Sequence, residues 1–124
     1  MAGELVLIVD DNEKNMKLAR DVLRFAGFRI LEASSAEEAI VQAQEHVPDV
    51  ILMDIRLPGM DGITAVGRLK GEAMTTAIPV VAFTSFAMKG DRERFLDAGF
   101  DGYLEKPIRV KEFPDQVRRY LRGR

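Results

Sequence analysis

The sequence contains no cysteine among its 124 residues. This absence excludes a disulfide framework and a metal site built on thiolates. The sequence also lacks a long apolar run at its N-terminus, where Leu5–Val9 is followed at once by acidic residues. Such a run is too short for a signal-peptide core or a membrane span. The formal net charge is only −2, which gives no reason to expect nucleic acid as a partner. We therefore expect a cytoplasmic protein that binds neither membranes nor nucleic acid.

The chain does contain short apolar runs that alternate with segments of helical period. Apolar residues make up 47% of the sequence, which is enough to bury a core. The length suits one domain over residues 1–124, without an effector domain. Three continuous runs are typical of strands buried on both faces, and two weaker runs are typical of edge strands: Leu5–Val9, Val50–Met53 and Val80–Phe83, then Phe28–Leu31 and Tyr103–Leu104.

A segment of helical character follows each predicted strand. The five helix signals are Leu18, Val22 and Phe25 before Gly27; the Ser35/Glu38 capping box; Met60–Lys70 with Asp61 as N-cap; Lys89–Ala98 before Gly99; and Phe113, Val117 and Leu121 with Pro114 inside the helix. Five βα units predict a parallel, doubly wound α/β sheet. Of the Rossmann and flavodoxin-like orders, 2-1-3-4-5 fits better because it centres the most apolar strands.

The residues that end these strands carry the chemically useful groups. Asp10 and Asp11 end the first strand, Asp54 the third and Thr84 the fourth, while Lys106 follows the fifth. In open α/β sheets, ligands bind beyond the carboxyl ends of the strands, near the point where the strand order reverses. We therefore expect three carboxylates, a hydroxyl and an ammonium group to meet at one edge of the sheet.

Such a set of groups favours phosphoryl chemistry supported by a hard cation. Three neighbouring carboxylates repel one another, and a divalent cation removes that repulsion. Oxygen ligands alone indicate Mg²⁺, with Mn²⁺ as a possible substitute. One carboxylate can act as a nucleophile and form an acyl phosphate. The ammonium group of Lys106 and the hydroxyl group of Thr84 can then bind phosphate oxygens.

Four motifs resemble a known family over essentially the whole chain: VLIVDDNEKN, ILMDIRLPGMDG, PVVAFTSFAMKGD and GYLEKPI. They are similar to the receiver (CheY-like) domains of two-component response regulators, and most similar to stand-alone regulators of the DivK type. The resemblance implies a (βα)5 flavodoxin-like sandwich with helices on both faces of the sheet.

The resemblance also implies roles for individual residues. Asp54 would be the phosphoacceptor, with Lys106 and Thr84 assisting. The implied assignments are metal binding by Asp10, Asp11, Asp54 and the backbone carbonyl of Arg56; a switch pair of Thr84 and Tyr103; tuning of the phosphate lifetime by Arg56 and Phe86; and a cis peptide bond between Lys106 and Pro107.

By the same resemblance, the phosphoryl group comes from a phosphohistidine of a histidine kinase or a histidine phosphotransfer protein. The chain would catalyse only its own phosphorylation and dephosphorylation. It would act as a monomer or weak dimer whose surface of helix four, strand five and helix five binds a downstream protein. A receiver excised from a hybrid histidine kinase remains an alternative.

Functions of other classes fit the residues less well. A Mg²⁺-dependent phosphatase with an aspartyl nucleophile needs a second acid two residues after Asp54, where this chain has Arg56. A flavodoxin-like electron carrier would meet acidic residues in its phosphate loop, and a dinucleotide enzyme needs a G-x-G-x-x-G motif that is absent. A pure adaptor would not need the complete set of acids, hydroxyl and lysine.

Overall fold

The computed structural model describes residues 3–85 and 90–121. Strands and helices alternate through these ranges in the predicted manner. In chain order the elements are β1 (Leu5–Val9), α1 (Glu13–Phe25), β2 (Arg29–Ala33), α2 (Ala36–His46), β3 (Val50–Met53), α3 (Gly62–Gly71), β4 (Val80–Thr84), α4 (Asp91–Ala98), β5 (Gly102–Glu105) and α5 (Phe113–Arg118). The strands form one parallel sheet of order β2-β1-β3-β4-β5, which confirms the predicted fold class.

Each face of the sheet has its own hydrophobic core. Along β1, Leu7 and Val9 pack with α2, α3 and α4, whereas Val6 and Ile8 pack with α1 and α5. All four side chains are fully buried. This alternation follows from the period of two residues in a strand, and it explains why the central strands have continuous apolar sequences. None of the helices in the described ranges combines the length and apolar content that crossing a bilayer requires.

Helix α1 lies where the helical period predicts it, but its buried face is formed by another set of residues. Met16, Ala19 and Leu23 pack against the sheet. Phe25, by contrast, is 84% exposed, and Leu18 is also exposed. The spacing of apolar residues therefore identified the helix, but two overlapping apolar stripes left its orientation about its own axis undetermined.

The observed helix starts depend on capping side chains. Ser35 accepts a hydrogen bond from the Glu38 amide at 3.2 Å, as the capping box predicts. Asp61 accepts one from the Thr64 amide at 2.8 Å, so α3 begins at Gly62 and not at Met60. Pro114 was expected to remove a donor inside the last helix. It lies instead in the first turn of α5, where an amide needs no helical partner.

Two glycines of α3 provide a matched test of how closely this helix approaches the end of β3. A Cβ atom on Gly62 would lie 2.5 Å from the backbone carbonyl oxygen of Asp54, whereas one on Gly67 would meet nothing within 4 Å. We expect Gly62→Ala to lower the free energy of unfolding by about 1–3 kcal/mol, because backbone atoms must shift. We expect Gly67→Ala to raise it by about 0.5–1 kcal/mol, because alanine favours the helix. Urea denaturation measures both effects, and equal effects would contradict the close approach.

Candidate functional site

Asp10 and Asp54 follow the neighbouring parallel strands β1 and β3, at the point where the strand order reverses. The Asp54 amide donates to the carbonyl of Val9 at 3.0 Å, and the Asp10 amide donates to the carbonyl of Ala33 at 3.1 Å. These bonds extend the ladders of the sheet by one residue beyond the strands. Both aspartates are buried, with exposures of 2% for Asp10 and 9% for Asp54. The rigid sheet therefore fixes the two carboxylates at the position where such folds bind ligands.

Each of these carboxylates divides its two oxygens between different partners. Asp10 Oδ1 accepts from the Asn12 amide at 2.9 Å, and Asp54 Oδ1 accepts from the Arg56 amide at 3.0 Å. The two Oδ2 atoms both face Lys106, whose Nζ lies 2.5 Å from Asp10 Oδ2 and 3.0 Å from Asp54 Oδ2. The local loops thus orient each carboxylate, and one ammonium group connects them.

Lys106 reaches this position because β5 ends beside β4. Its amide donates to the Thr84 carbonyl at 2.9 Å. Its side chain is only 7% exposed, and its Nζ lies 5.0 Å from the ring centroid of Phe83. The peptide bond between Lys106 and Pro107 is cis.

The three acids can form a cation site. One carboxylate oxygen from each of Asp10, Asp11 and Asp54 lies within 4.8 Å of the others, and Asp11 is exposed to solvent. Lys106 compensates one of the three negative charges. The remaining charge and the all-oxygen donor set suit a hard divalent ion that retains several waters. The residues present therefore fit Mg²⁺.

The pKa of Asp54 is raised above its ordinary value of 3.8, and burial is the main cause. The ammonium group of Lys106 and the amide of Arg56 act in the opposite direction, while the charge of Asp10 raises the pKa further. The ionised Asp54 carboxylate is thus held in the folded protein against a desolvation cost that its partners only partly offset.

Thr84 and Tyr103 lie towards the opposite face of the sheet. Thr84 is fully buried at the end of β4, two residues after Ala82, which belongs to the core under α2, α3 and α4. Tyr103 packs against the same core, with its ring 6.3 Å from that of Phe95 in α4. The predicted switch residues therefore share one face, and Tyr103 contacts helix α4.

Phe86 lies outside the described residues, so its predicted role stays a prediction. Sequence reasoning missed two residues of the site. Asn12 caps α1, and its amide donates to Asp10 Oδ1. The sequence predicted Phe83 only as an apolar residue of a strand, although its ring lies against Lys106. Its position, one residue before the end of β4, gave a signal that was not used.

The strand order, together with a cluster of acids in contact with a lysine, defines a CheY-like α/β protein. The chain belongs to the response regulator receiver domain family, whose model matches residues 6–118. It is therefore a signalling domain of two-component systems.

Named relatives agree with this assignment. The polar-differentiation response regulator DivK of Brucella ovis is 46% identical over 116 residues, which cover 94% of each chain. The receiver domain of a sensor histidine kinase from Pseudomonas aeruginosa, solved with a magnesium ion coordinated in its active-site cleft, is 34% identical. It superposes with a TM-score of 0.88 over 96% of this chain and 98% of that one. The chemotaxis response regulator CheY4 of Vibrio cholerae is 25% identical, with a TM-score of 0.89 over 96% and 99%.

The raised pKa of Asp54 predicts a pH dependence of stability in metal-free buffer. A carboxyl group with a raised folded-state pKa holds its proton more tightly in the folded state, so its ionisation costs stability as the pH rises above 3.8. We expect the free energy of unfolding of the wild type, relative to Asp54→Asn, to fall as the pH rises from below 3.8 through the raised pKa. Chemical denaturation across this pH range measures the difference.

Asp61 provides the control of opposite sign. Its pKa is lowered, chiefly by the hydrogen bond from the Thr64 amide. Its ionisation therefore contributes stability above pH 3.8, and this contribution is lost as the pH falls through the lowered value. The wild type should gain on Asp61→Asn as the pH rises. The same slope for both variants would contradict the environment described for Asp54.

Proposed function

We propose that the chain accepts a phosphoryl group on Asp54 from a phosphohistidine of a histidine kinase or a histidine phosphotransfer protein, and that it signals through protein binding. The observation that supports this most directly is the contact of Lys106 Nζ with both Asp10 and Asp54. These contacts bring two carboxylates and one cation together at one edge of the sheet, and this supports Asp54 as the nucleophile. The response regulator DivK of Brucella ovis is matched over 94% of its own length, which supports a role in two-component signalling.

In the proposed reaction, a carboxylate oxygen of Asp54 attacks phosphorus opposite the imidazole nitrogen. The new O–P bond forms as the P–N bond breaks, and the imidazole nitrogen leaves with the electron pair and takes a proton from water. Lys106 stabilises the negative charge on the transferred oxygens, and it already lies 3.0 Å from Asp54 Oδ2. The product is an acyl phosphate on Asp54.

Asp10, Asp11, Asp54 and the backbone carbonyl of Arg56 would hold Mg²⁺, with Mn²⁺ as a substitute. When bound, the ion neutralises charge on the phosphoryl oxygens during transfer. The clustering of the three carboxylates supports this assignment of ligands.

The phosphate on Asp54 would carry a charge of about −1.5 to −2. We propose that it draws the Thr84 hydroxyl group towards it, that the Tyr103 ring follows, and that a downstream protein detects the change on the surface of α4, β5 and α5. The shared face of Thr84 and Tyr103 and the contact of Tyr103 with Phe95 support this route. Arg56, which is exposed beside Asp54, and Phe86 would set the lifetime of the phosphate by controlling access of water.

Phosphorylation with a small donor tests the assignment of Asp54. Incubation of the wild type with Mg²⁺ and phosphoramidate should add one phosphate that is stable in acid and labile in base. Asp54→Asn should abolish it, because the amide is not a nucleophile. Asp61→Asn, which changes a nearby exposed acid that caps α3, should retain it. Intact-protein mass spectrometry gives the readout, and equal labelling of Asp54→Asn would overturn the proposal.

Asp11 is the most accessible of the three acids and allows a test of metal binding without phosphorylation. We expect Asp11→Asn to weaken Mg²⁺ binding by at least about tenfold, since even the loss of an outer-shell partner typically costs that much. Titration of Mg²⁺ against thermal stability measures the affinity. Glu13→Gln removes an exposed acid two residues further on and should leave it within about twofold. Equal affinities for all three proteins would exclude Asp11 as a ligand.

A further inference from the structure

The ammonium group of Lys106 contacts two carboxylates and also an aromatic ring. Its side chain is 7% exposed, so the ammonium group has given up most of its hydration. A lysine ammonium has three N–H donors, and Asp10 and Asp54 account for two of them. Nζ also lies over the ring of Phe83, 5.0 Å from its centroid. A cation at this distance over an aromatic face is attracted by the ring quadrupole.

The ring of Phe83 is held firmly in place. Phe83 is 2% exposed and stacks on Phe113 of α5, with ring centroids 5.5 Å apart and an angle of 19° between the planes. It pairs with Leu104 across the β4–β5 ladder. These contacts prevent the ring from following the ammonium group if Lys106 moves, so the ring acts as a fixed support.

The sheet register places this support beside the proposed phosphoacceptor. Met53 pairs with Ala82, and one further step along both chains brings Asp54 beside Phe83. Phe83 belongs to the core under α1 and α5, and Lys106 reaches the same side of the sheet. The ammonium group therefore contacts the carboxylate of Asp54 and also lies over the face of the Phe83 ring.

We infer that Phe83 is a positioning residue for Lys106, and that the face of its ring holds the ammonium group where it can pass from a carboxylate oxygen to a phosphoryl oxygen on Asp54. The inference rests on the proposed function, since it concerns the same transfer. An aliphatic residue would fill the core beside Phe113, but it would offer no attraction to the cation.

Fluorination of Phe83 separates the electrostatic role from packing. Fluorine atoms reduce the negative charge on the ring face and change the ring size only slightly. We therefore propose to place 4-fluoro-, 3,5-difluoro- and 3,4,5-trifluorophenylalanine at position 83. With Mg²⁺ and phosphoramidate, the rate of Asp54 phosphorylation should fall with each added fluorine. The total decrease should be about three- to tenfold, the size expected from a partly buried cation–π contact.

Two controls isolate the contact. The same fluorine series at Phe113, the stacking partner of Phe83, should leave the rate within about twofold. In a Lys106→Met background, the lower residual rate should no longer depend on fluorine at position 83. Melting temperatures of all variants show whether folding is retained. A flat series at position 83, in wild-type protein that is phosphorylated normally, overturns the positioning role.

A metal-free measurement distinguishes failure of this inference from failure of the proposed function. The ring current of Phe83 should shift the ε-methylene resonance of Lys106, and Phe83→Leu should remove that shift. If the wild type takes up no phosphate, the proposed function fails, and the positioning role fails with it. If the resonance does not respond to Phe83→Leu, the contact itself is absent and only the present inference fails.

Discussion

The bridge from Lys106 to Asp10 and Asp54 is the constraint on which the site depends. Lys106 follows β5, and it lies 96 positions from Asp10 after β1 and 52 positions from Asp54 after β3. One oxygen of Asp10 and one of Asp54 lie within 4.8 Å of each other. Two buried carboxylates this close would repel each other strongly without a cation. A single ammonium group allows both to remain at the edge of the sheet. The parallel strands make this possible, because their carboxyl ends all meet at one edge.

The bridge does not make the site electrically neutral. The desolvation cost of Asp54 exceeds what Lys106 and the Arg56 amide return, which is why its pKa stays raised. Buried ion pairs seldom contribute much net stability, because desolvation offsets the attraction. The arrangement is therefore better explained by the binding of a ligand than by stabilisation of the fold. Its remaining negative charge suits a divalent cation.

Most of the fold could be predicted from the sequence because buried parallel strands leave a strong local signal. The apolar runs at β1 and β3 match the observed strands residue for residue, and the caps at Ser35 and Asp61 fix the starts of α2 and α3. The buried face of α1 could not be predicted, since it depends on long-range packing against the sheet. The acids and the lysine were predicted to converge because strand ends converge. The division of their oxygens between loop amides and Lys106 required three-dimensional geometry.

The period of two residues in a strand predicts which face of the sheet the side chain of Phe83 lies on. Val81 and Phe83 point into the core under α1 and α5, whereas Val80 and Ala82 point into the other core. Thr84 therefore continues the second set and shares a face with Tyr103, while Phe83 shares its face with the ammonium group of Lys106. Consecutive residues at the end of one strand thus serve opposite faces of the sheet. One contacts the cation that binds Asp54, and the other lies towards the helix that Tyr103 touches.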